Sequence, residues 1–188
     1  MLKTKIAVFV SGGGTNFEAL INAQENGKIP HGEIVLMVSS SKTAYALKRA
    51  ENHGIKSVVC SKKELGSQES FEEEILKSLE ENDIQLIVLA GFMSILSKEF
   101  TKKYENRIIN IHPSLIPSFC GEGFYGLHVH EAALKKGVKV TGATVHIVNE
   151  IPDGGPIIMQ RAVYVEENDT PEILQKRVME QAEWKILP

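Results

Sequence analysis

The sequence is short of several things, and each shortage excludes a class of function. Only two cysteines occur in 188 residues, Cys60 and Cys120, with no Cys-x-x-Cys pair. A disulfide framework or a thiolate metal site is therefore not expected, and both thiols read as bystanders in a reducing compartment. No apolar run approaches the roughly 18 residues that span a bilayer, and Met1 to Val10 lacks the long apolar segment and cleavage site of a signal peptide. The expected location is the cytoplasm, with no membrane partner. Charge of one sign is scarce as well: 21 basic residues face 24 acidic ones, net −3, without a basic cluster. Nucleic acid is not expected as a partner, because neutralising phosphates needs such a patch. The phosphate-loop signature Gly-x-x-x-x-Gly-Lys-Ser/Thr is missing, and so is His-Glu-x-x-His, so neither that ATP site nor a bound metal is predicted.

What is present is ordinary in bulk and specific in detail. Apolar residues make up 43% and charged residues 24%, which suits a folded globular chain. At roughly 100 to 200 residues per domain, one domain covering 1–188 is expected. Lys5 to Val10 reads as a buried strand, and Ser11-Gly12-Gly13-Gly14-Thr15-Asn16 as a tight loop, with Thr15 or Asn16 capping the helix that carries Phe17, Leu20 and Ile21. Further strands are predicted at Glu33 to Val38, Lys56 to Cys60, Gln85 to Ala90, Ile108 to His112, Lys139 to Val148 and Pro156 to Val165. Between them fall helices from Ala44 to His53, from a capping box at Ser70-Phe71-Glu72-Glu73 to near Asn82, from Val129 to Lys136, and after Thr170-Pro171-Glu172. This alternation predicts an α/β fold, a mostly parallel twisted sheet with helices on both faces, and one ligand cleft beyond the strand ends after Val10, Ala90 and His112.

Four segments carry candidate chemistry. In Ser11 to Asn16 the glycines let backbone N–H groups approach an anion at a helix start, so phosphate is the natural guest, although a glycine turn alone is a weak signal. The third glycine of the dinucleotide fingerprint is replaced by Phe17, and the second strand ends in Ser39-Ser40-Ser41 without an acid for a ribose, which disfavours NAD. In Asn110-Ile111-His112-Pro113, the two-residue period of a strand puts Asn110 and His112 on one side. An amide beside an imidazole can stabilise an oxyanion and move a proton, the minimum for acyl transfer. In Pro152-Asp153-Gly154-Gly155-Pro156 a rigid turn can fix one carboxylate. If Asp153 reaches His112, it should orient the ring, favour imidazolium and raise its pKa. Gly91 to Leu96 is an apolar segment able to wall a pocket for a flat heterocycle. His128-Val129-His130-Glu131 is expected to be a solvated helix start.

Taken together, and in order along the chain, Ser11 to Asn16, Ala90-Gly91-Phe92-Met93, Asn110 to Pro117, Gly142-Ala143-Thr144-Val145-His146 and Asp153-Gly154-Gly155-Pro156 resemble the phosphoribosylglycinamide formyltransferases, folate-dependent enzymes of purine synthesis. The resemblance implies a Rossmann-like formyltransferase fold, with 10-formyltetrahydrofolate as co-substrate and phosphoribosylglycinamide as acceptor. It implies Asn110, His112 and Asp153 as the catalytic trio, with protonated His112 and Asn110 stabilising the oxyanion. Gly14, Thr15 and Asn16 would hold the phosphate, and Glu183 would meet the glycinamide amine. Gln68, Met93, Ser94, Ile95, Leu96, Asn110, Val148 and Asn149 would hold the folate; Ser94 stands where some members carry Arg, and Gln68 where some carry a basic residue. The loop Ser118 to Gly126 is longer than in some relatives, and members usually extend beyond Pro188. A monomer or weak homodimer is expected. Alternatives are a formyltetrahydrofolate deformylase, with water as acceptor, and a non-catalytic folate or nucleotide binding module.

Overall fold

A computed structural model describes residues 2–188. Seven strands form one sheet in the order β3-β2-β1-β4-β5-β6-β7. They are β1 (Thr4–Val10), β2 (Gly32–Ser39), β3 (Lys56–Val59), β4 (Leu86–Leu89), β5 (Ile108–His112), β6 (Val140–Ile147) and β7 (Ile157–Tyr164). The first five run parallel, while β6 and β7 pair antiparallel. The helices are α1 (Thr15–Glu25), α2 (Ala46–Asn52), α3 (Lys62–Leu65), α4 (Gln68–Glu81), α5 (Lys98–Lys103), α6 (Leu127–Lys136), α7 (Pro171–Val178) and α8 (Trp184–Ile186), with a π-helical stretch, Met179–Glu183, before α8. No described helix is long and apolar enough to cross a membrane.

The alternation of β1 explains the layering. Ile6, Val8 and Val10 pack on one face with Phe17, Leu20, Ala50 and Leu174. Ala7 and Phe9 pack on the other with Phe71, Ile75, Leu79 and Phe100. Both faces are thus covered, as a parallel sheet requires. The chain leaves β1 toward β2 and β3, then returns to β4 on the opposite side of β1, which makes a topological switch point at the β1 and β4 ends. There Ser11 N–H donates to the Gly91 carbonyl at 3.0 Å, and Met93 N–H donates to Ser11 Oγ at 2.8 Å. The loops after β1, β4 and β5 share one cleft, as expected.

Several local details differ from the sequence reading. Helix α1 has no side-chain cap: its N-cap is Gly14, with φ 71°, because the chain turns back sharply from β1. A Cβ at Gly14 would lie 2.8 Å from Ala46 Cβ. Gly14→Ala should therefore cost about 1–3 kcal/mol for the left-handed backbone alone, measurable by denaturant unfolding; an unchanged midpoint would contradict this. Helix α4 starts one turn earlier than its expected box, since Ser67 Oγ accepts from Ser70 N–H at 3.1 Å. Helix α2 is shorter than predicted, and α3 and α5 have no counterpart in the predicted elements.

Candidate active site

Strand β5 ends with Asn110 and His112 pointing to the same side, and β6 brings His146 directly opposite Asn110. The turn after β6 supplies Asp153, whose φ of 54° lies in the left-handed region. Such a backbone costs about 1–3 kcal/mol and persists only where its surroundings enforce it. They do so here: Gly154 N–H donates to the Ile151 carbonyl at 2.9 Å, and Gly155 packs so closely that a Cβ would lie 1.9 Å from the Ile147 carbonyl. The aspartate is therefore held in one direction, toward the end of β5.

The four side chains form a connected cluster. Asp153 Oδ2 lies 3.5 Å from His112 Nδ1, and Asp153 Oδ1 lies 3.5 Å from His146 Nε2. Asn110 Nδ2 is 3.1 Å from His146 Nε2 and 3.5 Å from Asp153 Oδ1. His146 Nδ1 faces the Ile147 carbonyl at 2.9 Å, so Nδ1 carries the proton and Nε2 accepts from Asn110. That tautomer turns the amide nitrogen of Asn110 toward the carboxylate. His146 thus orients Asn110, a role that periodicity did not assign because it depends on the antiparallel register.

His112 is enclosed by acceptors on both edges. Its Nε2–H donates to the Phe119 carbonyl at 2.8 Å, and Phe119 itself has φ 50°. Gly121 N–H donates to Asp153 Oδ2 at 2.8 Å, so the Ser118 to Gly126 loop touches both partners. The expected rise in the His112 pKa is not what results. Burial pushes it down and outweighs the Asp153 charge and the Phe119 carbonyl, which pull it up, so the ring sits below its ordinary 6.5. Asp153 shows the opposite balance: burial raises its pKa, but the groups around the carboxylate, the donating Gly121 amide among them, leave it below the ordinary value. A neutral imidazole beside a carboxylate is the resting arrangement at neutral pH.

Asn110, His112 and Asp153 line a cleft of about 620 Å³ together with Thr15, Asn16, Met93, Ser94, Ile95, His130 and Glu183. Its size suits a small polar molecule plus part of a second. At one end, Gly14 accepts the first helical bond from Glu18 N–H at 2.9 Å, and the first-turn N–H groups of α1 have no helical acceptors. The Asn16 side chain is engaged elsewhere. Its Nδ2 donates to Glu183 Oε2 at 2.5 Å, and its Oδ1 is buried without a partner. The groups of this loop free to meet a ligand are therefore backbone N–H groups, while Asn16 links the loop to the π-helical stretch that presents Glu183. Burial pushes the Glu183 carboxyl up to about 7, against the hydrogen bond from Asn16.

A smaller cavity of about 130 Å³ adjoins the cleft, lined by Ser94, Ile95, Leu96, Asn110, Val148, Asn149 and Asp153. Most of the residues expected to hold the folate are gathered there or at the main cleft. Gln68 lines neither; its amide donates to Glu72 and to the Ile95 carbonyl. The expectation for His130 is overturned: it is fully buried, and neither ring nitrogen has a partner. Burial and the neighbouring His112 push its pKa down to about 4. His128 is the solvated member of the pair, 3.0 Å from Glu131.

A profile of the formyl transferase family matches residues 4–188. The chain belongs to the formyl transferase family. Within it, the chain is 38% identical to the phosphoribosylglycinamide formyltransferase of Haemophilus influenzae, covering 98% of this chain and 84% of that protein. It is 47% identical to the trifunctional purine biosynthetic protein adenosine-3 of Gallus gallus, over 99% of this chain but 18% of that protein. It likewise spans 61% of the chloroplastic phosphoribosylglycinamide formyltransferase of Arabidopsis thaliana, at 38% identity. The crystal structure of phosphoribosylglycinamide formyltransferase from Bacillus halodurans superposes with a TM-score of 0.90 at 40% identity, covering 98% of this chain and 92% of that one. The Rossmann-like formyltransferase fold is thus established, with β6 and β7 as its antiparallel edge.

Proposed function

We propose that the protein transfers the formyl group of 10-formyltetrahydrofolate to the amine of phosphoribosylglycinamide, a step of purine synthesis. The observation that carries this reading is one cleft with a backbone anion site at the start of α1 and the Asn110, His112 and Asp153 cluster on its wall. The fit for a folate rests on the apolar Phe92 to Leu96 segment and the adjoining cavity that reaches Asn110 and Asp153. Gly14, Thr15 and Asn16 hold the phosphate through their backbone, and Met93 to Leu96 with Val148 and Asn149 hold the co-substrate.

Chemically, the amine nitrogen forms a bond to the formyl carbon and the bond from that carbon to N10 breaks. Asn110 Nδ2–H stabilises the charge that develops on the formyl oxygen; its long contact with Asp153 is readily replaced. The neutral His112 ring accepts a proton from the attacking amine, Asp153 stabilises the imidazolium formed, and the ring returns the proton to N10. The lowered pKa of His112 supports a shuttle role in preference to a permanently charged one. The test is acceptor choice: phosphoribosylglycinamide should be formylated efficiently, its dephosphorylated form poorly, and water not measurably. Preferred release of formate would favour the deformylase reading, and loss of the phosphate preference would remove the anion site.

Glu183 meets the acceptor amine, and its raised pKa makes that contact pH-dependent. An ammonium favours the carboxylate form, so the acceptor KM should rise as the pH falls below about 7. In Glu183→Gln the KM should lose this pH dependence and stay near the high value that the wild type approaches at low pH. A steady-state KM series across that range checks it; parallel curves for the two proteins would contradict the contact.

A further inference from the structure

The wall of the co-substrate cavity is a loop, and its position is set by one face of α4. Gln68, Phe71 and Glu72 fall at i, i+3 and i+4, so their side chains lie together on the helix surface. Each reaches a different point of the loop. The Phe71 ring stacks with Phe92, with centroids 6.4 Å apart and planes at 10°, while Phe9 meets Phe92 edge-on at 5.1 Å. Gln68 Nε2 donates to the Ile95 carbonyl at 3.1 Å. Glu72, only 7% exposed, accepts from Ser97 N–H at 2.6 Å and from Ser97 Oγ–H at 2.5 Å. It also accepts from Gln68 Nε2 at 2.6 Å.

The geometry points to Glu72 as a positioning residue for the co-substrate: a buried carboxylate that fixes the shape of the Phe92 to Ser97 loop and so of the cavity wall. This rests on the proposed function for the identity of the ligand. The physical reason is the asymmetry of the loop. Its ends, Phe92 and Ser97, are tied down, whereas Met93 and Ile95 are 54% and 69% exposed and have little packing of their own. Loops of this kind open locally at small cost unless held by hydrogen bonds. Among the described residues no cation pairs with Glu72, and its three donors are all neutral groups, so hydrogen bonds alone hold its side chain against the loop. The same network gives Gln68 its role. Lining neither cavity, it completes the donor set around Glu72 and holds the Ile95 carbonyl.

Two measurements on Glu72→Ala and Glu72→Gln test this. The first is hydrogen exchange of the Ser97 amide in the ligand-free protein, with thermal melting to confirm folding. The second is the dissociation constant for tetrahydrofolate by calorimetry, alongside the KM for the acceptor. Glu72→Ala should lose protection at Ser97 and bind tetrahydrofolate about tenfold more weakly, a change of about 1.4 kcal/mol, with the acceptor KM unchanged. Glu72→Gln, which keeps one acceptor oxygen, should recover much of both. If Glu72→Ala is destabilised, Gln68→Ala serves, with a smaller shift in the same direction. Unchanged exchange at Ser97, or equal losses for both substrates, overturns the positioning role. A wild-type protein that does not bind tetrahydrofolate overturns the functional reading instead, and the exchange arm still decides whether Glu72 fixes the loop.

Discussion

His112→Ala and Asn110→Ala should each keep the fold and lose most of the turnover. Loss of an acid/base group lowers kcat by about 10² to 10⁴, and loss of an oxyanion donor by about 10² to 10³. Both residues sit at the end of β5, outside the apolar layers that the strands bury, so the folded state should survive. The two losses should not add. Asn110 is hydrogen-bonded to His146 and Asp153, and Asp153 lies 3.5 Å from both His112 and His146, so the four are in contact, and residues acting as a unit give double variants little worse than the poorer single one. Steady-state kcat of the two single variants and the double variant, with circular dichroism as the fold control, is the measurement. Near-normal turnover by His112→Ala would remove the shuttle role.

Asp153→Asn should lower kcat by a similar factor of about 10² to 10⁴, and it should also move the pH profile in a defined direction. In the proposed mechanism the neutral ring of His112 is the working form, so activity should be lost as pH falls through its pKa, which burial holds below the ordinary 6.5. The Asp153 charge is one of the two influences that pull this pKa up. Removing it lets burial act with less opposition, so the pKa falls further and the acid limb moves to lower pH. The plateau drops nonetheless, because the imidazolium formed during the reaction has lost its counter-charge. The pH dependence of kcat, with NMR titration of the His112 ring, reads both effects. An acid limb that moves to higher pH, or a ring pKa that stays still, would show that the two groups are not coupled.

Much of this site was legible in the sequence, and what was not has physical causes. The glycine loop, the Asn110 and His112 pairing and the Asp153 turn are local patterns, and a two-residue or glycine-dependent rule exposes each of them. His146 was visible as part of a motif but without a role, because its contact with Asn110 exists only in the β5 to β6 register. Asn16 and Glu183 are 167 residues apart, so their hydrogen bond, which takes the Asn16 side chain away from the proposed phosphate contact, belongs to tertiary structure. The direction of the His112 shift depends on burial, which a sequence does not display; only the sign of the Asp153 influence could be foreseen. His130 looked like a polar helix start because its neighbours are His128 and Glu131, yet α6 turns it inward beneath the cleft. Helix α5 is six residues long with three lysines, too short for an apolar period to register, although Ser97 caps it by accepting from Phe100 N–H at 3.1 Å.

The central claim is that one cleft brings a formyl donor and a phosphate-bearing amine together at Asn110, His112 and Asp153. A single-turnover reaction tests it most directly, with 10-formyltetrahydrofolate, phosphoribosylglycinamide and enzyme in excess over the donor. The account predicts that tetrahydrofolate and formylated phosphoribosylglycinamide appear together, in equal amounts, with no formate. Tetrahydrofolate matched by formate, or no consumption of the donor when the acceptor is present, would contradict it.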